Sequence, residues 1–334
     1  MTQKTLLLTG ATGYIGSHAV VAFEQAGYET VIIDNLSNSY RTTLRGLEQI
    51  LGYQPHFYEG DIRDAEFLRS VFEKHAFDGV VHFAGLKAVG ESCAMPLQYH
   101  DNNVVGSVRL FEVMEEFGVR KVIFSSSATV YRSDNVPPFT EDMPLGTTNP
   151  YGTTKLVIEY ILRDLAMQKD WSVMSLRYFN PIGAHPSGHI GEVPSGIPNN
   201  LLPYVLDVAS GKRRAVNVYG DDYDTEDGTG VRDYIDVCDL VDAHVLGYSA
   251  LEEGYEAINI GTGKGTSVLE MIEYVRMASG QQVPYDICPR RSGDIASVYC
   301  DPSLARDRLG WSARRMIPES VANGWKFVQN NLTP

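Results

Sequence analysis

A glycine-spaced turn between an apolar strand and a helix fixes how this chain begins to fold. Thr5-Leu-Leu-Leu8 reads as a buried strand, Thr9-Gly-Ala-Thr-Gly-Tyr-Ile-Gly16 as a turn, and Tyr14 to Gly27 as a helix stopping at glycine. Strand patterns recur at 30–34, 56–59, 79–83, 121–124 and 172–176, with helical stretches at 94–117 and 151–168. Strands that alternate with helices bury both faces of a parallel sheet. The predicted fold class is therefore α/β, a doubly wound parallel sheet.

After about Tyr178 the texture changes. Residues 180–200 are rich in proline and glycine, and Asp221 to Gly230 is acidic. Residues 234–248 then look helical, 257–260 look like a strand, and 264–276 look helical again. The chain is expected to leave the sheet, return, and leave again. This gives a first domain of 1–178 plus about 233–260, and a smaller, discontinuous α/β domain of about 179–232 plus 261–334.

The turn has the spacing G-x-x-G-x-x-G through Gly10, Gly13 and Gly16, a variant of the Rossmann fingerprint. Glycines there let the backbone approach a diphosphate, and the helix N-terminus adds unpaired N–H groups and a partial positive charge. Asp34 ends the second strand, where a carboxylate accepts from ribose hydroxyls and repels a 2′-phosphate, so NAD is favoured over NADP. The alternative is that Asp34 and Asn35 open a turn. Asp61 after Gly60 either holds the adenine end or caps a helix.

Tyr151 and Lys155 lie four apart on a predicted helix, so both side chains share one face. A free phenol titrates near ~10, and base work at neutral pH needs it about three units lower, roughly 4 kcal/mol. A cation about 4 Å away at an effective dielectric near 20 supplies roughly that much. Lys155 is one such cation and an oxidised nicotinamide a second. Ser127 or Thr129, ending the strand Phe124-Ser-Ser-Ser-Ala-Thr129, can hydrogen-bond a substrate alcohol and help pass its proton.

Net charge is −14, which argues against nucleic acid or an anionic membrane as partner. No apolar run is long enough to span a bilayer. Cys93, Cys238, Cys288 and Cys300 have no CxxC spacing, and without a leader they read as reduced cytoplasmic thiols. No metal is expected. Pro186 and Gly188 break any helix that would pair His185 with His189, and the Asp222–Glu226 acids do not fit a calcium loop. His82, at a strand end, reads as packing or loop support.

These motifs resemble the extended short-chain dehydrogenase/reductase family, on its UDP-hexose 4-epimerase branch. The resemblance rests on TGATGYIG at 9–16, DNLSNS at 34–39, HFAGLKAVGES at 82–92, DNNV at 101–104, SSSATVY at 125–131 and YGTTK at 151–155. It continues in LRYFNPIGAHPSG at 176–188, PNNL at 198–201, GTGVRDYIDV at 228–237 and RRSGD at 290–294. It implies NAD contacts at Gly10, Gly13, Tyr14, Ile15, Gly16, Asp34, Asn35, Asp61, Ile62, Phe83, Ala84, Gly85, Lys87, Asn102 and Phe179, with Tyr151 and Lys155 also reaching the cofactor. It implies a catalytic Ser127, Tyr151 and Lys155, with Thr129 assisting. UDP-sugar contacts would fall on Lys87, Ser127, Tyr151, Asn180, Asn199, Asn200, Leu201, Asn217, Tyr219, Arg232, Arg291 and Asp294. The implied reaction oxidises C4 of a UDP-hexose, turns the 4-keto sugar over and reduces its other face. The resemblance also suggests a homodimer.

Within the same family, an epimerase for uronates or pentoses or a dehydratase is an alternative, and from another class, an inactive NAD-binding regulatory protein. A 4,6-dehydratase needs an acid pair that Ala128-Thr129-Val130 lacks. Two departures stand out: the segment after Tyr131 is one residue short, and Val298 (or Tyr299, one residue on) occupies the position that gates sugar size. A valine there leaves room for N-acetylated UDP-sugars.

Overall fold

The computed structural model describes residues 3–291 and 293–332; Ser292, inside the 290–294 motif, lies outside them. The chain divides into two compact units. One holds Met1–Ser133, Met143–Arg177 and Val241–Ile258, the other Asp134–Asp142, Tyr178–Leu240 and Asn259–Pro334. Residues 134–142 thus join the second unit, and the segment that returns to the first is 241–258.

Thirteen strands are present among the described residues: β1 (Thr5–Thr9), β2 (Glu29–Asp34), β3 (His56–Glu59), β4 (Phe77–His82), β5 (Lys121–Ser127), β6 (Ser172–Tyr178), β7 (Asn180–Ile182), β8 (Val216–Tyr219), β9 (Val231–Asp236), β10 (Gly254–Ile260), β11 (Gly265–Ser267), β12 (Tyr285–Cys288) and β13 (Ser297–Val298). Seven form one sheet in the order β10-β6-β5-β4-β1-β2-β3. β1 runs parallel to β2 and β4, β2 to β3, and β4 to β5. Strand order reverses between β1 and β4, and in open α/β sheets ligands bind outside the carboxyl ends of the strands at that switch.

Helices α1 (Tyr14–Gln25), α2 (Thr42–Leu51) and α3 (Ala65–Phe72) follow the first three strands. α4 (Val89–Ala94), α5 (Pro96–Tyr99) and a π-helical stretch, His100–Val105, lead into α6 (Gly106–Glu116), and α7 (Pro150–Lys169) comes after β5. The single helix expected over 94–117 is therefore broken. Pro96 starts a new turn at its N1 position. The wide turn is held by Asn103, whose amide accepts from Leu86 N at 2.8 Å and donates to Leu86 O and Thr154 Oγ1 at 3.0 Å each. α7 matches its expected span because Asn149 caps it, accepting from Gly152 N at 2.9 Å, with Pro150 at the first helical position. Leu7, Val31, Ile33, Val80, Val122, Phe124, Leu162 and Trp171 are buried in one core cluster around the sheet.

The second unit is built differently. β9 pairs antiparallel with β11 and parallel with β7 and β13, while β8 and β12 form a separate parallel pair. α8 (Leu201–Ala209), α10 (Val268–Ser279) and α12 (Ile317–Leu332) supply much of its core, with Leu202, Val205, Leu206, Met271, Ile272 and Val321 buried together. α9 (Val237–Ser249) begins in this unit and ends in the first. The expected helix from 234 starts three residues late, because Tyr234 and Ile235 are paired in β9 opposite Asn180 and Pro181. The helix expected at 264–276 runs 268–279, where Ser267 and Glu270 form a capping box. Among the described residues, no helix is long and apolar enough to cross a membrane.

Candidate functional site

Two neighbouring turns lie at the sheet's switch. The first leaves β1 at Gly10, held by Gly10 N donating to Ile33 O at 2.8 Å. Gly10 has φ +68°, and a Cβ there would fall 2.6 Å from Cα and N of Ala84, in the turn that follows β4. Only glycine lets Phe83-Ala84-Gly85 approach this closely. Gly13 sits just before α1 with no side-chain cap, Tyr14 and Ile15 open the helix, and Gly16 is buried in its first turn. The first N–H groups of a 12-residue helix therefore face outward at the switch point, an arrangement suited to a diphosphate.

Asp34 ends β2 and is buried. Its carboxylate accepts from Thr12 N at 3.0 Å, Leu36 N at 2.9 Å and Ser39 Oγ at 3.1 Å. It thus opens a turn and also braces the glycine loop. Three of about four lone-pair positions are taken, leaving one for a ribose hydroxyl. Asn35 Nδ2 donates to Asp61 at 2.8 Å. Asp61 does not cap α3; Asp64 does, accepting from Glu66 N and Phe67 N at 3.0 Å each. The Arg63 guanidinium instead holds Asp61 down to about 2. Ile62 is buried beside it. Asn102 lies in the π-helical turn and donates to Asn103 at 3.0 Å, and Lys87 Nζ stands 6.0 Å from the Tyr14 ring centre.

His82 is fully buried between Thr9 Oγ1, 2.7 Å from Nδ1, and Ser107 Oγ, 2.8 Å from Nε2. Ser107 gives its proton to Asn103 O, so it accepts from Nε2–H, and Thr9 donates to Nδ1. Burial pushes the imidazole down to about 3, so it stays neutral. Support for the loops is what the sequence suggested for His82, and this relay joins the ends of β1 and β4 to Asn103. Asn103 itself was missed; its neighbour Asn102 drew the reading, and the partners at Leu86 and Thr154 are remote in sequence.

The second cluster is on α7 and the end of β5. Ser127 Oγ accepts from Thr129 N at 3.2 Å and Thr129 Oγ1 at 3.0 Å, bending the chain into a short 3₁₀ turn. A Cβ on Gly152 would fall 2.8 Å from Thr129 O, so the glycine after Tyr151 lets α7 close on this turn. Burial pushes the Tyr151 phenol above its usual value, and a hydrogen bond with Ser127 pulls it back. Lys155 is buried, donates to Ser125 O at 2.7 Å, and stands 6.0 Å from the Tyr151 ring centre and 4.9 Å from that of Phe124. Burial pulls the ammonium down to about 8. The lowering expected for the phenol is thus opposed by its own desolvation. The short segment after Tyr131 closes by a bridge between Tyr131 and Leu145.

In the second unit, Arg232 on β9 is next to Val298 on β13 in the sheet register. Arg232 donates to Val231 O at 2.9 Å and Ile295 O at 3.0 Å, and lies 4.0 Å from Asp294. Arg291 stacks over the Tyr219 ring at 3.8 Å. Asn217 shares a face of β8 with Tyr219 and lines a polar surface pocket of about 330 Å³ with Tyr204, Arg213, Arg214 and Asp286. Asn200 precedes α8, whose first residue is Leu201, and donates to Glu192 at 2.7 Å, a partner sequence reading missed; Asn199 is exposed. Asn180 is half-buried at the start of β7, and Phe179 packs edge-on against Phe139 at 6.2 Å. Among the described residues, no cluster of three His, Cys, Asp or Glu side chains is gathered for a metal.

A phenol and an ammonium one helical turn apart, a serine strand end against them and a glycine turn at the sheet switch are an arrangement suited to nicotinamide-dependent oxidation and reduction. The chain belongs to the NAD dependent epimerase/dehydratase family, whose model matches residues 6–261. It is 53% identical over 333 residues to the UDP-glucose 4-epimerase of Bacillus subtilis, covering 98% of this chain and 97% of that protein. It is 50% identical over 331 residues to the UDP-glucose 4-epimerase of Erwinia amylovora, covering 98% of each. Among solved structures, it resembles the UDP-glucose 4-epimerase of Stenotrophomonas maltophila with bound NAD and formylated UDP-arabinopyranose. That match has 45% identity and TM-score 0.95, covering 99% of this chain and 100% of that one. The Bifidobacterium longum enzyme in complex with NAD+ and UDP aligns at 48% identity and TM-score 0.95, covering 98% and 99%.

Proposed function

We propose that this protein interconverts UDP-galactose and UDP-glucose by NAD-dependent inversion at C4. The observation that carries the reading is Tyr151 and buried Lys155 one turn apart on α7, with Lys155 donating to Ser125 O at the end of the serine strand. It stands in a chain that matches named UDP-glucose 4-epimerases over nearly its whole length.

Gly10, Gly13, Gly16 and the opening of α1 would hold the NAD diphosphate, and Asp34 a ribose hydroxyl; the clearance at Gly10 and the remaining acceptor position on Asp34 fit that group. Bound there, the dinucleotide supplies a hydride acceptor and donor and, when oxidised, a positive ring. Ser127 and Thr129 orient the sugar O4. Tyr151 takes the O4 proton as C4 is oxidised, with Lys155 stabilising the phenolate. Arg232 and Arg291 grip the substrate diphosphate, the charge type that guanidinium forks suit. Held only at its nucleotide end, the 4-keto sugar turns and shows its other face, and Tyr151 returns the proton as C4 is reduced. Val298 leaves room for N-acetylated UDP-hexoses as further substrates. We also propose a cytoplasmic homodimer, the state the family resemblance suggests.

Purified protein given UDP-galactose without added cofactor should form UDP-glucose. Absence of interconversion of any UDP-hexose, also after NAD is added, would overturn the reading.

A further inference from the structure

The catalytic face of α7 does not end at Lys155. Tyr151, Lys155 and Glu159 follow one another at four-residue spacing along the three serines that end β5. Tyr151 neighbours Ser127, Lys155 Nζ donates to Ser125 O at 2.7 Å, and Ser126 Oγ donates to Glu159 at 2.5 Å. Glu159 is 2% exposed. Its carboxylate also accepts from Arg177 Nε at 3.0 Å, Arg177 Nη2 at 2.7 Å and Tyr255 OH at 3.1 Å. Four donors fill about four lone-pair positions, so no capacity remains for a substrate or a moving proton. Arg177 Nη1 in turn donates to Tyr131 OH at 3.1 Å, just past the 3₁₀ turn that carries Thr129. The network therefore clamps the strand end and the turn on both sides of Ser127.

We propose that Glu159 is a positioning residue for this reaction, fixing the serine strand end through Ser126 and holding Lys155 in its charged form from one helical turn behind. The inference rests on the roles proposed for Tyr151 and Lys155. Burial works against that charge, and the Glu159 carboxylate partly restores it. Phe124 presents its ring and Ser125 a carbonyl, which favour the ammonium without bringing a charge of their own, while His82 of β4 is a neutral imidazole and Tyr151 a phenol. Beyond Glu159, Arg177 of β6 is a cation, and Tyr131 and Tyr255 are hydroxyl donors or acceptors to the pair.

The test follows the 15Nζ signal of Lys155 against pH in the NAD-loaded protein, assigned by its loss in Lys155→Met. Glu159→Gln should lower the midpoint by at least about one unit, the usual effect of losing an adjacent opposite charge. The alkaline limb of kcat should fall with it. Glu159→Asp, which keeps the charge, should retain most of the parental midpoint. Ser126→Ala should lower kcat about tenfold by loosening the strand end, with KM and the lysine midpoint unmoved. If Glu159→Gln does not fold, the apolar pair Glu159→Leu with Arg177→Met takes its place, since buried ion pairs are commonly replaceable this way. An unmoved midpoint in whichever of these two folds overturns the charge role, and an unchanged kcat in Ser126→Ala overturns the clamp. The titration needs no turnover: a protein inactive on every UDP-hexose would sink the proposed reaction while the lysine midpoint still reads.

Discussion

Replacing Lys155 by methionine removes a cation whose effect can be sized from its position. Its Nζ stands 6.0 Å from the centre of the Tyr151 ring. At an effective dielectric near 20, unit charges at that separation interact by about 2.8 kcal/mol, or about two pK units. Below the pKa of the phenol, that shift cuts the phenolate fraction about a hundredfold. Lys155→Met should therefore lower kcat about a hundredfold at neutral pH and move the acid limb of its pH profile up by about two units. The substitution also deletes the bond to Ser125 O, a charge-assisted contact worth about 1.5–3 kcal/mol of stability. Thermal unfolding should be recorded beside the kinetics, so that lost folded protein is not read as lost chemistry. Steady-state UDP-galactose turnover across the pH range, corrected for folded fraction, is the assay. A kcat within about threefold of the parent at neutral pH, with the acid limb in place, would refute the electrostatic argument.

Gly10→Ala forces a Cβ to within 2.6 Å of the Ala84 backbone at φ +68°, so the protein should lose about 1–3 kcal/mol of stability and purify with less bound NAD, as read by the nicotinamide content of the denatured protein. His82 titrates at about 3 when folded and near 6.5 when unfolded, so the unfolded chain binds the extra proton between those values, and stability falls as pH drops through that window. His82→Asn should flatten the dependence of unfolding free energy on pH there by up to about 1.4 kcal/mol per unit; an unchanged slope in denaturant titrations would mean the imidazole is charged in the fold. Val298→Tyr should lower kcat/KM for UDP-N-acetylgalactosamine while sparing UDP-galactose, and equal losses on both sugars would remove Val298 from the size gate.

Those parts of the molecule that follow from local pattern were legible in the sequence. Leu6, Leu7 and Leu8 read as a buried strand and are fully buried, and the helix expected over 151–168 runs 150–169. Four-residue spacing alone puts Tyr151 and Lys155 on one helix face. The same spacing reaches Glu159, yet a carboxylate in a long helix reads as solvated surface. Its burial is set by Arg177 and Tyr255, which other strands bring to it. The π-helical turn at His100–Val105 was hidden for a related reason: its residues keep a helical pattern, and the wide turn depends on Leu86 and Thr154. Asp61 shows the limit of local signals. An acid after a strand suits a cap or a ribose contact equally, and the cap fell to Asp64 because its carboxylate meets the first free N–H groups of α3.

Burial alone would make this centre a poor base. It pushes the phenol of Tyr151 up from its ordinary value and pulls the Lys155 ammonium down to about 8, which favours a protonated phenol beside a lysine ready to release its own proton. The attraction of Lys155 across 6.0 Å is about two pK units, and the phenol's own desolvation works against that gain. The hydrogen bond from the serine strand narrows the gap without supplying charge. A second cation would add to the attraction, and an oxidised nicotinamide is one. The same charge would help keep the proton off Tyr151 only while hydride can be accepted, and its loss on reduction would raise the proton affinity of the phenolate. Under the proposed reaction, the strength of Tyr151 as acid or base is then tied to the oxidation state of its neighbour, so the O4 proton and the C4 hydride leave together and return together.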